Sequence, residues 1–301
     1  MNRSITQTGT EMQSYYGRPI LKEPVWQPEI PAYLFTGGIG GGCALLHGFA
    51  RVARYERLAM TALYVGAAAD VVSPALLVSD LGRPERFLHM LRVFKVTSPM
   101  SVGSWILGVS SAASTTAALL RRTGALRPVK SAAEAVAFFA GAPLATYTGT
   151  LLADTAIPVW HEARRELPAL FGASGAASAG AATALFLPPE EAGPARRLAV
   201  VGTLGAVGTM EVMQHRLGFV GEVYKKEAAG SLARISKLCA AAGAGVLATR
   251  GRVSRPALIA GSALVLAGEL ALRWSVFRAG FQSARDPRYT VIPQKQRKQF
   301  D

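Results

Sequence analysis

Cysteine is nearly absent from this sequence. The two present, Cys43 and Cys239, lie in separate apolar stretches and no CxxC occurs. The chain therefore cannot build an iron–sulfur cluster or a Cys-type zinc site alone, and a disulfide framework is excluded. Histidine is scarce too. A bis-histidine haem needs two rings on facing helices at one depth, and His47, His89, His161 and His215 map to no such pair. Charge is thin, at 17% of residues, while 50% are hydrophobic and the mean hydropathy is +0.25. A soluble domain of 301 residues rarely shows that profile. The N-terminal stretch has no apolar h-region, so no cleavable signal peptide is expected and insertion must use internal segments.

What the chain has in quantity is long apolar runs. About 20 mostly apolar residues are needed to cross a bilayer, and eight candidates can be read at roughly 31–50, 58–79, 99–120, 131–153, 167–187, 197–215, 235–250 and 256–278. The expected fold is an all-α integral membrane protein, a bundle of about eight transmembrane helices. An extramembrane segment over 1–30 precedes the bundle over 31–278, and a basic tail follows over 279–301. The seventh run is the weakest, being short and rich in Ala and Gly. Small residues recur inside the runs, as in "GGIGGG" (37–42) and "GASGAASAG" (172–180), and such residues let helices approach closely in lipid. Pro74 and Pro143 fall inside spans two and four, where each removes a backbone donor and kinks the helix.

An even number of spans puts both termini on one face, here called face A. The face B connections are short and hold twelve Lys or Arg residues, which by the positive-inside bias makes face B the cytoplasmic one, although the basic C-terminal tail on face A pulls the other way. The net charge of +14 flanks the apolar runs and forms no continuous basic face, so no nucleic-acid partner is expected. Polar and aromatic motifs gather at face A instead. Part of this is an ordinary interfacial belt of Trp26, Trp105, Trp160 and Tyr33, but a belt does not account for carboxylates.

Asp70, Glu134, Glu211 and Glu269 fall within the spans, where a charged side chain costs about 2.5 to 3.5 kcal/mol. Each needs a partner or a wet cavity. Asp70 lies near mid-depth and is a functional candidate. Glu134 follows Lys130 closely enough to pair with it, and Glu269 with Arg273, like Glu211 with His215, has the i, i+4 spacing of a structural intrahelical pair.

Four stretches carry a resemblance: "SYYGRPILKEPVWQPEIPAYLFTGGIGGG" (14–42), "DLGRPERFLHMLRVFKVTSPMSVGSW" (80–105), "YTGTLLADTAIPVW" (147–160) and "LRWSVFRAGFQSARDP" (272–287). Together they resemble the NrfD/PsrC family, the integral membrane subunits of polysulfide-reductase-like respiratory complexes. The resemblance implies a multi-pass subunit of the inner (cytoplasmic) membrane, surrounded by membrane lipid. It implies two partners, a ferredoxin-like subunit with [4Fe–4S] clusters and a molybdopterin catalytic subunit, and exchange of electrons with menaquinone or ubiquinone, with no haem, metal or cluster in this chain. The family's quinone pocket is formed by the first four spans, corresponding to 29–160 here. Its polar contacts are a His and an Asn near the start of span one and a Tyr in span four. Aligned on the glycine run, these positions are Tyr33, Ile30 and Tyr147, so two of the three contacts are changed.

The resulting assignment places Tyr33, Tyr147, Asp80 and Arg83 at the quinone, with Glu29, Asp70 or Asp154 relaying protons. The charged turn after span two is expected to shape the pocket rim and seat the iron–sulfur subunit. Two other classes compete: a passive anchor, suggested by the changed contacts, and a proton- or ion-translocating transporter, suggested by the buried carboxylates.

Overall fold

The computed structural model describes residues 20–81 and 83–298. Ser14 to Pro19 of the first motif, Gly82 of the "DLGRP" turn and residues 299–301 lie outside that range. Among the described residues every regular element is helical. Eight helices of 18 residues or more occupy the eight apolar runs: α1 (Glu29–Val52), α2 (Glu56–Ser79), α3 (Pro99–Thr123), α4 (Arg127–Ala153), α5 (Leu167–Ala184), α6 (Gly193–Leu217), α7 (Glu227–Ala248) and α8 (Arg255–Arg285). Short helical turns at Pro84–Arg86, Phe87–Met90, Pro158–Glu162 and Val220–Lys225 lie in the connections, and Arg288–Lys298 forms a last helix.

Four of the eight, α2, α4, α7 and α8, are long and apolar enough by composition to cross a membrane. The weak seventh run is among them. It starts eight residues earlier than its apolar core suggests, at Glu227. The eighth continues unbroken past 278 to Arg285 and is 31 residues long, or about 46 Å at the helical rise per residue. Hydropathy ends where the polar residues begin, but a helix supplies its own hydrogen bonds and runs on into water.

α1 and α5 are the central helices. α1 packs against α2, α4, α5 and α8; α5 packs against α1, α4, α6 and α8. These two carry the glycine and alanine runs, and the reason is visible at Gly41. A β-carbon there would lie on the Gly141 carbonyl oxygen and 2.8 Å from the Ala145 nitrogen of α4, so only the absence of a side chain allows the two backbones to approach this closely. α1–α4 and α5–α8 form two groups of four, joined through α1, α4 and α5.

The ends of the helices are defined locally. Ser98 accepts a hydrogen bond from the Ser101 N–H (3.4 Å) with Pro99 at the first helical position of α3, and Ser254 does the same for Ala257 (3.4 Å) at α8. At face B two of the basic residues act as caps. Arg255 donates to the terminal carbonyls of α5 at Ala184, Leu185 and Leu187, and Arg196 donates to Leu247 at the end of α7 (2.8 Å). The basic flanks thus satisfy helix ends as well as marking a face.

Two spacing-based pairs are replaced by other contacts. Glu211 pairs with Lys237 of α7 instead of His215. Arg273, fully buried, lies over the Phe171 ring with its guanidinium carbon 3.7 Å from the centroid and donates to the Phe171 carbonyl at 3.0 Å. Arg273 makes no direct ion pair with Glu269, and the Glu269 Oε2 atom is buried without a hydrogen-bond partner. Helical spacing brings two side chains onto one face, but a neighbouring helix offering a ring and a carbonyl competes for the same guanidinium. Glu134 does pair with Lys130, at 3.7 Å, and also approaches His47 (3.6 Å) and Arg51 (3.9 Å) at the face B end.

Candidate functional site: a cleft at the face A end of the first four helices

Four helices contribute to one cleft by the same rule. α1 supplies Ile30, Tyr33 and Leu34; the end of α2 supplies Leu77, Asp80 and Leu81; the start of α3 supplies Met100, Gly103 and Ser104; α4 supplies Tyr147, Leu151 and Leu152. Positions i, i+3 and i+4 share one face of a helix, and three of the four segments use that triplet. Trp26, just before α1, and Met90, in the turn between α2 and α3, complete the wall. The cleft encloses about 630 Å³ of empty space including its open mouth.

Its surface is mainly apolar, with few polar groups. Tyr33 is 2% exposed, and among the described residues neither the Tyr33 nor the Tyr147 hydroxyl has a hydrogen-bond partner. Asp80 accepts a hydrogen bond from the Gln27 N–H on Oδ1 (2.9 Å). Ser104 donates to the Met100 carbonyl of its own helix (2.8 Å). The Tyr147 ring lies where a side chain on residue 103 would be: a β-carbon at Gly103 would come within 2.7 Å of Tyr147 Cδ2. Gly103 therefore sets how deep the tyrosine sits.

The remaining residues of the expected site are not gathered here. Asp70 is fully buried but two helical turns from Leu77, hence about 10 Å deeper. It accepts hydrogen bonds on Oδ2 from Ser114 (2.6 Å) and Ser110 (3.4 Å) of α3, while Oδ1 abuts Gly40 of α1 without a partner. Proline at 74 cannot donate to the carbonyl of residue 70, which leaves this level of α2 with a free acceptor as well as a carboxylate. Between Asp70 and the cleft, Ser73 donates to Thr36 (2.8 Å), and Thr36 donates to the Tyr33 carbonyl (3.3 Å). Glu29 opens α1, and its Oε2 is buried and unpartnered, but it does not line the cleft. Asp154 and Arg83 are exposed at face A, outside the cleft wall.

Met90, Met100, Gly103 and Ser104 are wall residues that the sequence did not single out, and Trp26 was expected only as part of the interfacial belt. The triplet of Met100, Gly103 and Ser104 was available as a pattern. Trp26 was not, because an interfacial tryptophan and a cleft tryptophan have the same sequence signature. Among the described residues no group of three or more His, Cys, Asp or Glu side chains is placed to hold a metal ion.

Residues 19–284 match the family described as "Polysulphide reductase, NrfD". No curated protein matches the chain.

Proposed function

Because this chain belongs to the NrfD (polysulphide reductase) family, we propose that it is the quinone-reactive anchor of a respiratory complex. Members of the family are membrane subunits of molybdoenzyme complexes and work with iron–sulfur and molybdopterin subunits in general. The chain is accordingly a multi-pass membrane protein. The finer reading is that all eight long helices span the inner membrane, that the ferredoxin-like [4Fe–4S] subunit seats on face A, and that the molybdopterin partner is of the formate dehydrogenase or polysulfide/thiosulfate reductase type.

The observation that carries this reading is the cleft. Apolar walls, two tyrosine hydroxyls without other partners and one carboxylate suit a flat, apolar ring bearing two oxygens on opposite edges. A bound menaquinone or ubiquinone would supply two-electron, two-proton chemistry. Tyr33 and Tyr147 donate hydrogen bonds to the ring oxygens and set its orientation. Asp80, the carboxylate in the wall, holds a proton released there, as a positioned base must lie within hydrogen-bond reach. Asp70 is the deeper proton acceptor, below the cleft, with Ser73 and Thr36 lying between it and Tyr33. Glu29 is a second acceptor behind the α1 wall. Asp154 and Arg83, exposed on the same face, are assigned to the seat of the iron–sulfur subunit.

The passive-anchor alternative is favoured by one observation, the presence of Tyr33 and Ile30 where the family has His and Asn. A transporter is favoured by the buried Asp70, Glu269 and Arg273. Rapid mixing of the purified complex with a quinol separates them. The quinone-reactive anchor requires reduction of the partner's clusters within turnover time, and neither alternative does.

A further inference from the structure

We propose that residues 20–28 are a strap that roofs the cleft, with Trp26 as the ligand-facing tile and Glu23 and Arg285 as the positioning pair that holds it in place. The inference rests on the quinone reading of the cleft for its ligand, but the strap is argued from contacts alone.

The segment before α1 has no regular structure of its own, so its path is set by what it touches. It is tied at two points. Near its start, Glu23 forms a two-pronged ion pair with Arg285, both contacts at 2.9 Å. Near its end, the Gln27 N–H donates to Asp80 at 2.9 Å. The first tie reaches the last residue of α8, the second the end of α2, so the strap crosses face A from one group of four helices to the other. This also gives a reason for the unbroken length of α8: without the turns beyond 278, Arg285 would not reach the strap.

Between the ties, Trp26 lines the cleft and stacks on Trp160 with ring centroids 5.6 Å apart and planes at 23°. Trp160 is itself immobilised. It is fully buried, its indole N–H donates to the Val276 carbonyl (2.8 Å), and its ring lies against Gly280, where any side chain would overlap it. A rigid aromatic backing under Trp26 is what a stacking surface for a planar ring requires. Asp80 is then shared: it is both a cleft wall group and the anchor of the strap.

The test uses the full chain in lipid nanodiscs, with Glu23→Arg, Arg285→Glu and the double exchange. Both side chains are well exposed, so the exchange probes the tie and not the bundle. The first readout is acrylamide quenching in a Trp105→Phe, Trp274→Phe background, where only Trp26 and Trp160 emit and the fully buried Trp160 leaves Trp26 as the fluorophore the quencher reaches; it does not depend on any ligand. Each single reversal increases quenching and the double exchange returns it to the starting value. The second readout is the affinity for a non-prenylated naphthoquinone, which falls about two- to fivefold in each single variant, in line with an exposed ion pair, and recovers in the exchange. Unchanged quenching in the single variants, or no recovery in the exchange, overturns the strap. Altered quenching with unchanged naphthoquinone affinity overturns its role as a roof. Absence of naphthoquinone binding in the unmodified chain removes the ligand, and with it the functional reading, while the quenching result still decides the strap.

Discussion

At the residue scale the cleft turns on hydroxyls that have no other occupation. On the quinone reading, replacing Tyr147 by Phe would remove one hydrogen bond to a ring oxygen and leave the packing against Gly103 intact. Quinone affinity is expected to weaken by about 0.5 to 1.5 kcal/mol, up to about tenfold, with the melting temperature unchanged. A drop in melting temperature with normal affinity would instead assign the hydroxyl to the fold. Asp70 makes the contrasting case, because it lies below the cleft and does not line it. Asp70→Asn keeps the Ser114 and Ser110 contacts available and removes the titratable group, so turnover should fall with little change in KM. An unchanged kcat would make Asp70 a structural acceptor for the two serines. Tyr33 and Tyr147, named from their alignment with the family's contact positions, and Asp80, named from its motif, all line the cleft. Asp154 and Arg83 belong to the same motifs, but a motif does not say which of its members turn inward, and both are exposed.

At the level of single elements, the run of apolar residues located each helix and the small residues located the contacts. α1 shows why the second signal is physical. Gly41→Ala places a methyl group on the Gly141 carbonyl, and α1 and α4 must separate to admit it. The expected cost is about 1 to 3 kcal/mol, read as a lower melting temperature in detergent, whereas the same change at Gly208, which has open space around it, should be silent. The strap is an element that hydropathy could not reveal, since it is neither apolar nor regular. Its pH dependence follows from Glu23, whose carboxyl is held below its ordinary value chiefly by the hydrogen bond from Arg285. A depressed carboxylate stabilises the tied form above its unfolded pKa of about 4.3 and loses that contribution as pH falls through the lower folded value. Trp26 quenching should therefore be flat from about pH 8 to pH 5 and rise only below about pH 4. A rise near neutral pH would show that another group controls the strap.

For the whole molecule, the two groups of four helices divide the chemistry. The first group forms the cleft, with Asp70 beneath it and the Glu134, His47 and Arg51 cluster at the opposite end. The second group supplies Arg285 as a support and buries Arg273 against Phe171, and the turn joining the two groups supplies Trp160. The family and the all-helical bundle could be read from quoted motifs and apolar runs. The cross-bundle contacts could not, because Trp26 with Trp160 and Glu23 with Arg285 are separated by more than a hundred residues and no local pattern encodes their meeting. The central claim is that the cleft exchanges electrons between membrane quinone and the partner subunit, and it is most directly tested by stopped-flow absorbance of the iron–sulfur clusters after mixing the purified complex with a naphthohydroquinone. The account predicts cluster reduction in the unmodified complex, at a rate that saturates with quinol, with the Tyr147→Phe complex needing up to about ten times more quinol for half-saturation. Clusters that stay oxidised in an intact complex, or a half-saturation that does not respond to Tyr147→Phe, would contradict it.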